Sequence, residues 1–262
     1  MRSNPTIERR AQERRAPLIV NVGRHEKSLM RNPWLDIPLA EYEGHMASPQ
    51  VAQAQLLADV FESMLEEHHP RSVAVLGCAG GNGFERIRSD ITGRVVGVDL
   101  NPNYIEQLRA RFKHQLPALE LHVGDIQSAD IAFPPVDLMF AGLVFEYVDV
   151  STVLVRIRSL LNPTGILGTV VQLPSPISAV VTQSPFRSIQ TLAPFMHLVT
   201  PAQLKHAAEK QGYQENVARL QESRGGKQFQ VQMFRLLTPT DRRNCGTSTA
   251  RRYMNFGADH NG

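Results

Sequence analysis

Between residues 48 and 237, short unbroken apolar runs alternate with longer stretches whose apolar positions recur at helical spacing. Unbroken runs predict strands buried on both faces, and the helical spacing predicts helices with one buried side. The predicted strands are 72–76, 95–99, 119–123, 136–141 and 166–173. Ser48 as N-cap and Pro49 behind it predict a helix whose stripe is Leu56, Leu57, Val60, Phe61, Met64 and Leu65, stopped at Pro70. Further helices are predicted over 83–88, from Asn101-Pro102 through Ile105, Leu108 and Phe112, and across Val153, Leu154, Ile157, Leu160 and Leu161 until the turn at 162–165. Thr200-Pro201 opens another, and the runs 217–221 and 229–237, joined by Gly225-Gly226, predict a hairpin. Residues 32–46 read as an ordered arm, and 174–199, a stretch of 26 residues with four prolines, as a lid-like insertion. The alternation predicts an α/β chain with a single doubly wound, Rossmann-like sheet of seven strands, mostly parallel with an antiparallel strand near the C-terminal end.

Composition changes this picture mainly at the ends. The length of 262 residues suits one α/β domain with a full core. Residues 1–28 carry seven Lys/Arg against three Glu, and 238–262 carry four Arg against two Asp; a chain total of +3 therefore leaves −3 for the rest. An acidic folded body argues against a nucleic-acid groove. The basic ends read as flexible segments flanking a domain over 29–237, with its arm at 29–47. Cys78 and Cys245 offer neither a disulfide framework nor a metal-ligand spacing, so no metal is expected. No apolar h-region opens the chain, and no uninterrupted apolar run approaches the ~20 residues of a membrane span. A cytoplasmic protein without membrane contact is expected, and the oligomeric state is left open.

Candidate chemistry begins at residues 73–83, VAVLGCAGGNG, and 95–100, VVGVDL. An apolar strand ends in a glycine cluster, and the next strand ends in an acid 18 residues after Gly81. That is the form of a nucleoside-binding unit: glycines admit a ligand to the backbone, and the acid accepts from ribose hydroxyls. The spacing of Gly77, Gly81 and Gly83 also matches short-chain dehydrogenases, whose chemistry needs a Tyr with a Lys four positions on. Tyr42, Tyr104, Tyr147, Tyr213 and Tyr253 are followed at that distance by Met46, Leu108, Ser151, Val217 and Gly257, so that reading fails.

The full set of strand tips resembles the class I S-adenosylmethionine-dependent methyltransferases over about residues 40–237. Residues 136–150, VDLMFAGLVFEYVDV, resemble the family's fourth-strand motif. Residues 143–148 are similar to the L-x-E-H-V signature of quinone-biosynthesis and other small-molecule methyltransferases, with Glu146-Tyr147 in place of Glu-His. Residues 160–171, LLNPTGILGTVV, resemble the helix, turn and fifth strand that follow. The resemblance implies S-adenosylmethionine as cofactor. It places Gly77, Cys78, Ala79, Gly80 and Gly81 in the cofactor loop, Asp99 and Leu100 at the ribose, Gly124, Asp125 and Ile126 at the adenine, and Ala141 and Gly142 as further contacts. Two positions depart from the family: Val75 stands where an acid is usual, and Ala79 where a glycine is. Tyr42 or Glu43 from the arm is the expected substitute partner for the cofactor's amino group.

Transfer of a methyl group from a sulfonium needs alignment and exclusion of water more than acid–base machinery. Glu146 and Tyr147 follow the fourth strand, where an acceptor meets the methyl group, and His45 is the candidate general base. Phe186, Phe195 and His197 of the lid are the candidate acceptor contacts. Each has a plainer reading: Asp99 as a helix cap, Asp125 as a turn residue, Tyr147 as packing and His45 as structural. Nucleic-acid base methyltransferases carry Asn/Asp-Pro-Pro-aromatic or Pro-Cys at the fourth-strand tip, where this chain has Ala141-Gly142-Leu143. A small-molecule acceptor is therefore expected. The alternatives are a non-catalytic S-adenosylmethionine-binding protein and a macromolecular methyltransferase docking through the basic N-terminus.

Overall fold

The structure is a computed structural model that describes residues 32–116, 118–175 and 179–237. The tails expected at 1–28 and 238–262, with Cys245 and Tyr253, lie outside the described residues. Strands β1 (Ser72–Leu76), β2 (Arg94–Asp99), β3 (Leu119–Val123), β4 (Val136–Gly142), β5 (Leu161–Gln172), β6 (Tyr213–Glu222) and β7 (Gln228–Leu236) form one sheet in the order β3-β2-β1-β4-β5-β7-β6. The first five pair in parallel, while β7 pairs antiparallel with both β5 and β6.

Helices cover both faces. On one side lie α2 (Gln53–His68) and α3 (Pro102–Phe112), sharing a core with Val73, Val75, Leu138 and Phe140. On the other lie α4 (Val150–Leu160) and α5 (Pro201–Lys210), packed over Ala74, Val96, Met139 and Leu167. The alternation of side chains along each strand feeds the two cores in turn. Local signals start the helices as the pattern suggests. Asn101 accepts from Asn103 N with Pro102 behind it, and Thr200 and Gln203 close a capping box. Among the described residues no helix is long and apolar enough to cross a membrane.

Three local expectations are corrected. Ser48 does not begin α2; its hydroxyl and N–H both bond His45 O and close α1 (Leu39–Ala47), so the arm is a helix in its own right. Ala52, in a left-handed conformation, precedes α2 and gives it no side-chain cap. The helix expected at 83–88 is a 3-10 turn, Phe84–Arg86. Arg88 O accepts from both Ile91 and Thr92, and the chain turns back to β2 at once. α2 covers the face this helix would have covered, with Phe61 and Phe140 rings 5.0 Å apart. The turn at 162–165 is a bulge within β5: Leu161 pairs with Val136 and Ile166 with Leu138, and Asn162 donates to Asp137 across the step at 2.7 Å.

Candidate functional site

The strand order reverses between β1 and β4, and this topology leaves a ligand crevice at the carboxyl ends there. The loop after β1 is shaped for it. Gly77 (φ +62°) and Gly81 (φ +88°) are left-handed, and a Cβ on Gly81 would stand 2.7 Å from the Phe112 ring. Ala79 takes φ +44° without glycine's freedom, a strained conformation for a residue with a Cβ. Its N–H donates to Asp99 Oδ2 at 2.8 Å, while Asp99 Oδ1 accepts from Asn101 N at 2.9 Å. Each carboxylate oxygen has further acceptor capacity, so Asp99 fixes the loop and can still receive two hydroxyls. Burial pushes its carboxyl up to about 6, against the lowering effect of the Asn101 and Ala79 N–H groups.

Neighbouring expected residues divide between crevice and core. Cys78 is buried, with its N–H on Val98 O, and burial raises its thiol pKa; only its backbone faces the loop's work. Gly80 O accepts from Arg111, which also forks onto Glu43 of α1. Glu43, a candidate partner for the cofactor's amino group, is thus already neutralised. Gly124 N–H donates to the Asp99 carbonyl at 2.9 Å and lays the next turn beside β2. Asp125 is exposed and holds that turn by accepting from Gln127 N at 2.9 Å, while Ile126 packs beneath it and Leu100 is half-buried. At the tip of β4, Ala141 is fully buried and Gly142 half-buried. The leucine after them, Leu143, adopts φ +58°, an unusual strain for this residue type. No sequence signal marks it.

The arm roofs this edge. Asn101 Nδ2 donates to Trp34 O at 2.8 Å and the Tyr104 hydroxyl to Ile37 O at 2.9 Å. Trp34 meets Tyr147 at 5.1 Å and Tyr42 at 5.7 Å, and Tyr42 stacks on Tyr104 at 6.1 Å. Burial, then the charges of Asp99 and Glu43, raise the Tyr42 phenol, so its hydroxyl remains a donor at neutral pH.

Beneath the lid lies a cavity of about 50 Å³, with Leu143 after β4 in its lining. Tyr42, His45, Leu143, Tyr147, Gln172 and Lys227 line one side. The lid contributes Val181, Thr182, Ile189, Leu192 and Met196. The candidate acceptor contacts are placed differently from these. Phe186 packs over Gly44, where a Cβ would come within 2.3 Å of its ring. Phe195 is half-buried and His197 exposed, its N–H on Glu146 O at 2.8 Å. His45 is buried with Nδ1 on Ser184 Oγ at 2.8 Å; burial and the Lys227 charge lower its pKa, so it is neutral at pH 7.

Glu146, expected at the acceptor, is not among the residues that line this cavity. It is fully buried: Oε1 accepts from Gln172 N at 2.7 Å and braces the end of β5, while Oε2 has no partner among the described residues. Burial pushes its carboxyl up to about 7, against the lowering by the Gln172 N–H. A folded-state pKa above the unfolded one makes its stability contribution full below pH ~4.5 and lost as pH rises through about 7. Glu146→Gln is expected to flatten the fall in stability between pH 5 and 8 by about 3 kcal/mol. Denaturant melts of both proteins at the two pH values check this; equal slopes would contradict it. Tyr147 does face the cavity, and burial, then Glu146, raises its phenol pKa.

Comparisons with known proteins agree with this geometry. A family model described as a methyltransferase domain matches residues 73–165. An uncharacterized 37.1 kDa protein in transposon TN4556 of Streptomyces fradiae is 29% identical over 115 residues, which span 43% of this chain and 33% of that protein. The N-methyltransferase NodS from Bradyrhizobium japonicum, solved with S-adenosylhomocysteine, superposes with a TM-score of 0.54 at 15% identity, covering 71% of this chain and 88% of NodS. Geranyl diphosphate C-methyltransferase from Streptomyces coelicolor gives 0.54 at 14% identity, covering 72% and 84%. Residues 73–165 thus resemble a methyltransferase domain, and the sheet has the fold seen in these S-adenosylmethionine-dependent enzymes. The family's cofactor fits the chemistry of what is here: a loop with Gly77 and Gly81 left-handed, and a carboxylate with spare acceptor capacity at the tip of β2. Among the described residues no cluster of His, Cys, Asp or Glu is placed to hold a metal ion.

Proposed function

We propose that this chain methylates a small-molecule acceptor held in the cavity under the lid. The observation that carries this reading is the position of Tyr42. It lines the acceptor cavity and also feels the charge of Asp99, so the cofactor crevice and the acceptor chamber share one wall. A bound S-adenosylmethionine supplies an electrophilic methyl group on a positively charged sulfur. The protein's part is to bind, align and dry the site. Asp99 accepts from the ribose hydroxyls, the loop from Gly77 to Gly81 gives its backbone, and the turn at Gly124, Asp125 and Ile126 flanks the adenine. Ala141 and Gly142 end β4 beside them. The aromatic roof of Trp34, Tyr42 and Tyr147 excludes water, which strengthens alignment in a site that needs no net acid–base step when the acceptor is already nucleophilic. His45 takes a proton from an acceptor that must lose one; its lowered pKa and its position in the cavity lining support this role.

The unit that does this is the domain over 29–237, closed by its arm and by residues 174–199. A small acceptor is favoured over a nucleic acid by the cavity's size and by the net negative charge outside the tails. Because one fold hosts many chemistries, the test follows the methyl group itself. Purified protein incubated with methyl-labelled S-adenosylmethionine and a fractionated cell extract is expected to move label into the low-molecular-weight fraction. Label found only in protein or nucleic acid, or cofactor binding without any transfer, would overturn the small-molecule reading.

A further inference from the structure

The cavity contains a cation that the proposed reaction does not use. Lys227 follows the Gly225-Gly226 turn and is 4% exposed. Its Nζ donates to Val180 O at 2.7 Å and to Gln172 Oε1 at 3.3 Å, both neutral acceptors. Among the described residues it forms no ion pair with a carboxylate. An ammonium carries three donors, and a buried cation without a counter-charge costs several kcal/mol. Burial alone pulls its pKa down to about 8.

The surroundings complete an anion-friendly end. Gln53, the first residue of α2, is buried in the same wall, and Ala52 gives that helix no side-chain cap, so the positive end of its dipole lies at the cavity. Thr182 Oγ1, also in the lining, is buried without a hydrogen-bond partner. Lys227 is held there by the fold: the hairpin turn packs on the loop before α2, where a Cβ on Gly225 would sit 2.3 Å from Gln50 O. Trp34, Tyr42 and Tyr147 supply flat apolar walls beside this polar end.

We infer that Lys227, with the Thr182 hydroxyl, binds a carboxylate on the acceptor, so the substrates are small carboxylic acids. This rests on the methyltransferase reading and names the acceptor class for that same cavity. A single cation with neutral helpers matches a monoanion; a phosphate dianion would leave excess charge unpaired. The other titratable groups on the cavity are His45, Tyr42 and Tyr147, while Glu146 lies beyond Gln172. His45 is shifted down and both phenols up. Above pH 8 the titrating group on the cavity wall is therefore Lys227 itself.

The probe pair is acetate and its neutral isostere acetamide, titrated into the full chain saturated with S-adenosylhomocysteine. Acetate is expected to bind the wild type at least tenfold more tightly than acetamide, and to weaken about tenfold per pH unit above pH 9. Lys227→Met should lose the preference and keep its S-adenosylhomocysteine affinity, while Lys227→Arg should retain part of it. The wild-type pH series stands even where a variant fails to fold. Equal binding of the two probes, binding of neither, or a flat pH series overturns the proposal. S-adenosylhomocysteine that fails to bind the wild type would instead overturn the methyltransferase reading beneath it.

Discussion

Asp99→Ala is expected to weaken S-adenosylhomocysteine binding by at least about a hundredfold, since it removes two ribose hydrogen bonds to a charged acceptor, at about 1.5–3 kcal/mol each. The same substitution should change global stability little at pH 7. Ala79 and Asn101 lose an acceptor for their N–H groups, which destabilises. Against that, burial holds the Asp99 carboxyl at about 6 rather than 3.8, so removing the charge relieves the native state of an unfavourable group. The two effects have similar size and opposite sign. Calorimetric titration paired with a denaturant melt separates them, and a large loss of stability with intact binding would reverse the assignment. The pH dependence has a definite direction. Ionised Asp99 is the form that accepts from both hydroxyls, so cofactor affinity in the wild type should fall as pH drops below about 6. Its stability contribution runs the other way: it is full below the unfolded pKa and lost as pH rises through about 6.

Gly81→Val should be the most damaging single change in the loop. Gly81 is left-handed at φ +88°, and its missing Cβ leaves the place where the Phe112 ring packs, 2.7 Å away. A β-branched residue there adds about 1–2 kcal/mol of backbone strain to about 1–3 kcal/mol of overpacking. A stability loss of about 2–5 kcal/mol is expected from urea melts, together with loss of cofactor binding, because the displaced ring belongs to α3, which starts at the Asp99 corner. Gly93, where a Cβ would meet nothing within 4 Å, is the matched control and should accept Ala with little effect on either measurement.

Much of the fold was legible because it is written in local periodicity. β1 and β3 lie on their predicted residues, and Asn101-Pro102 and Thr200-Pro201 start helices where expected. The sequence reading went wrong where two local signals competed. Ser48-Pro49 looks like a helix start, yet the hydroxyl of Ser48 turns back to His45 O, because the preceding residues already form a helix, led in by Trp34 and Ile37 carbonyls held by Asn101 and Tyr104. The helix at 83–88 failed because α2, distant in sequence, covers its share of the sheet. Asp99 draws notice in the sequence because it is an acid at a strand tip after a glycine loop, and the structure shows it holding the N–H groups of Ala79 and Asn101. Lys227 could not be read: a lysine after a glycine turn usually faces water, and only the packing of the hairpin on residues 50–51 buries it. Length and prolines mark 174–199 as an insertion, but they do not tell its inward residues from the others. Proline-rich loops have no periodicity to tell Met196, which lines the cavity, from Phe195 beside it, which does not.

Titration of S-adenosylhomocysteine and, separately, of a nicotinamide dinucleotide into the purified chain bears most directly on the whole account. One equivalent of S-adenosylhomocysteine should bind, more weakly at pH 5 than at pH 7.5, with no heat from the dinucleotide. A chain that binds the dinucleotide and ignores S-adenosylhomocysteine would contradict it.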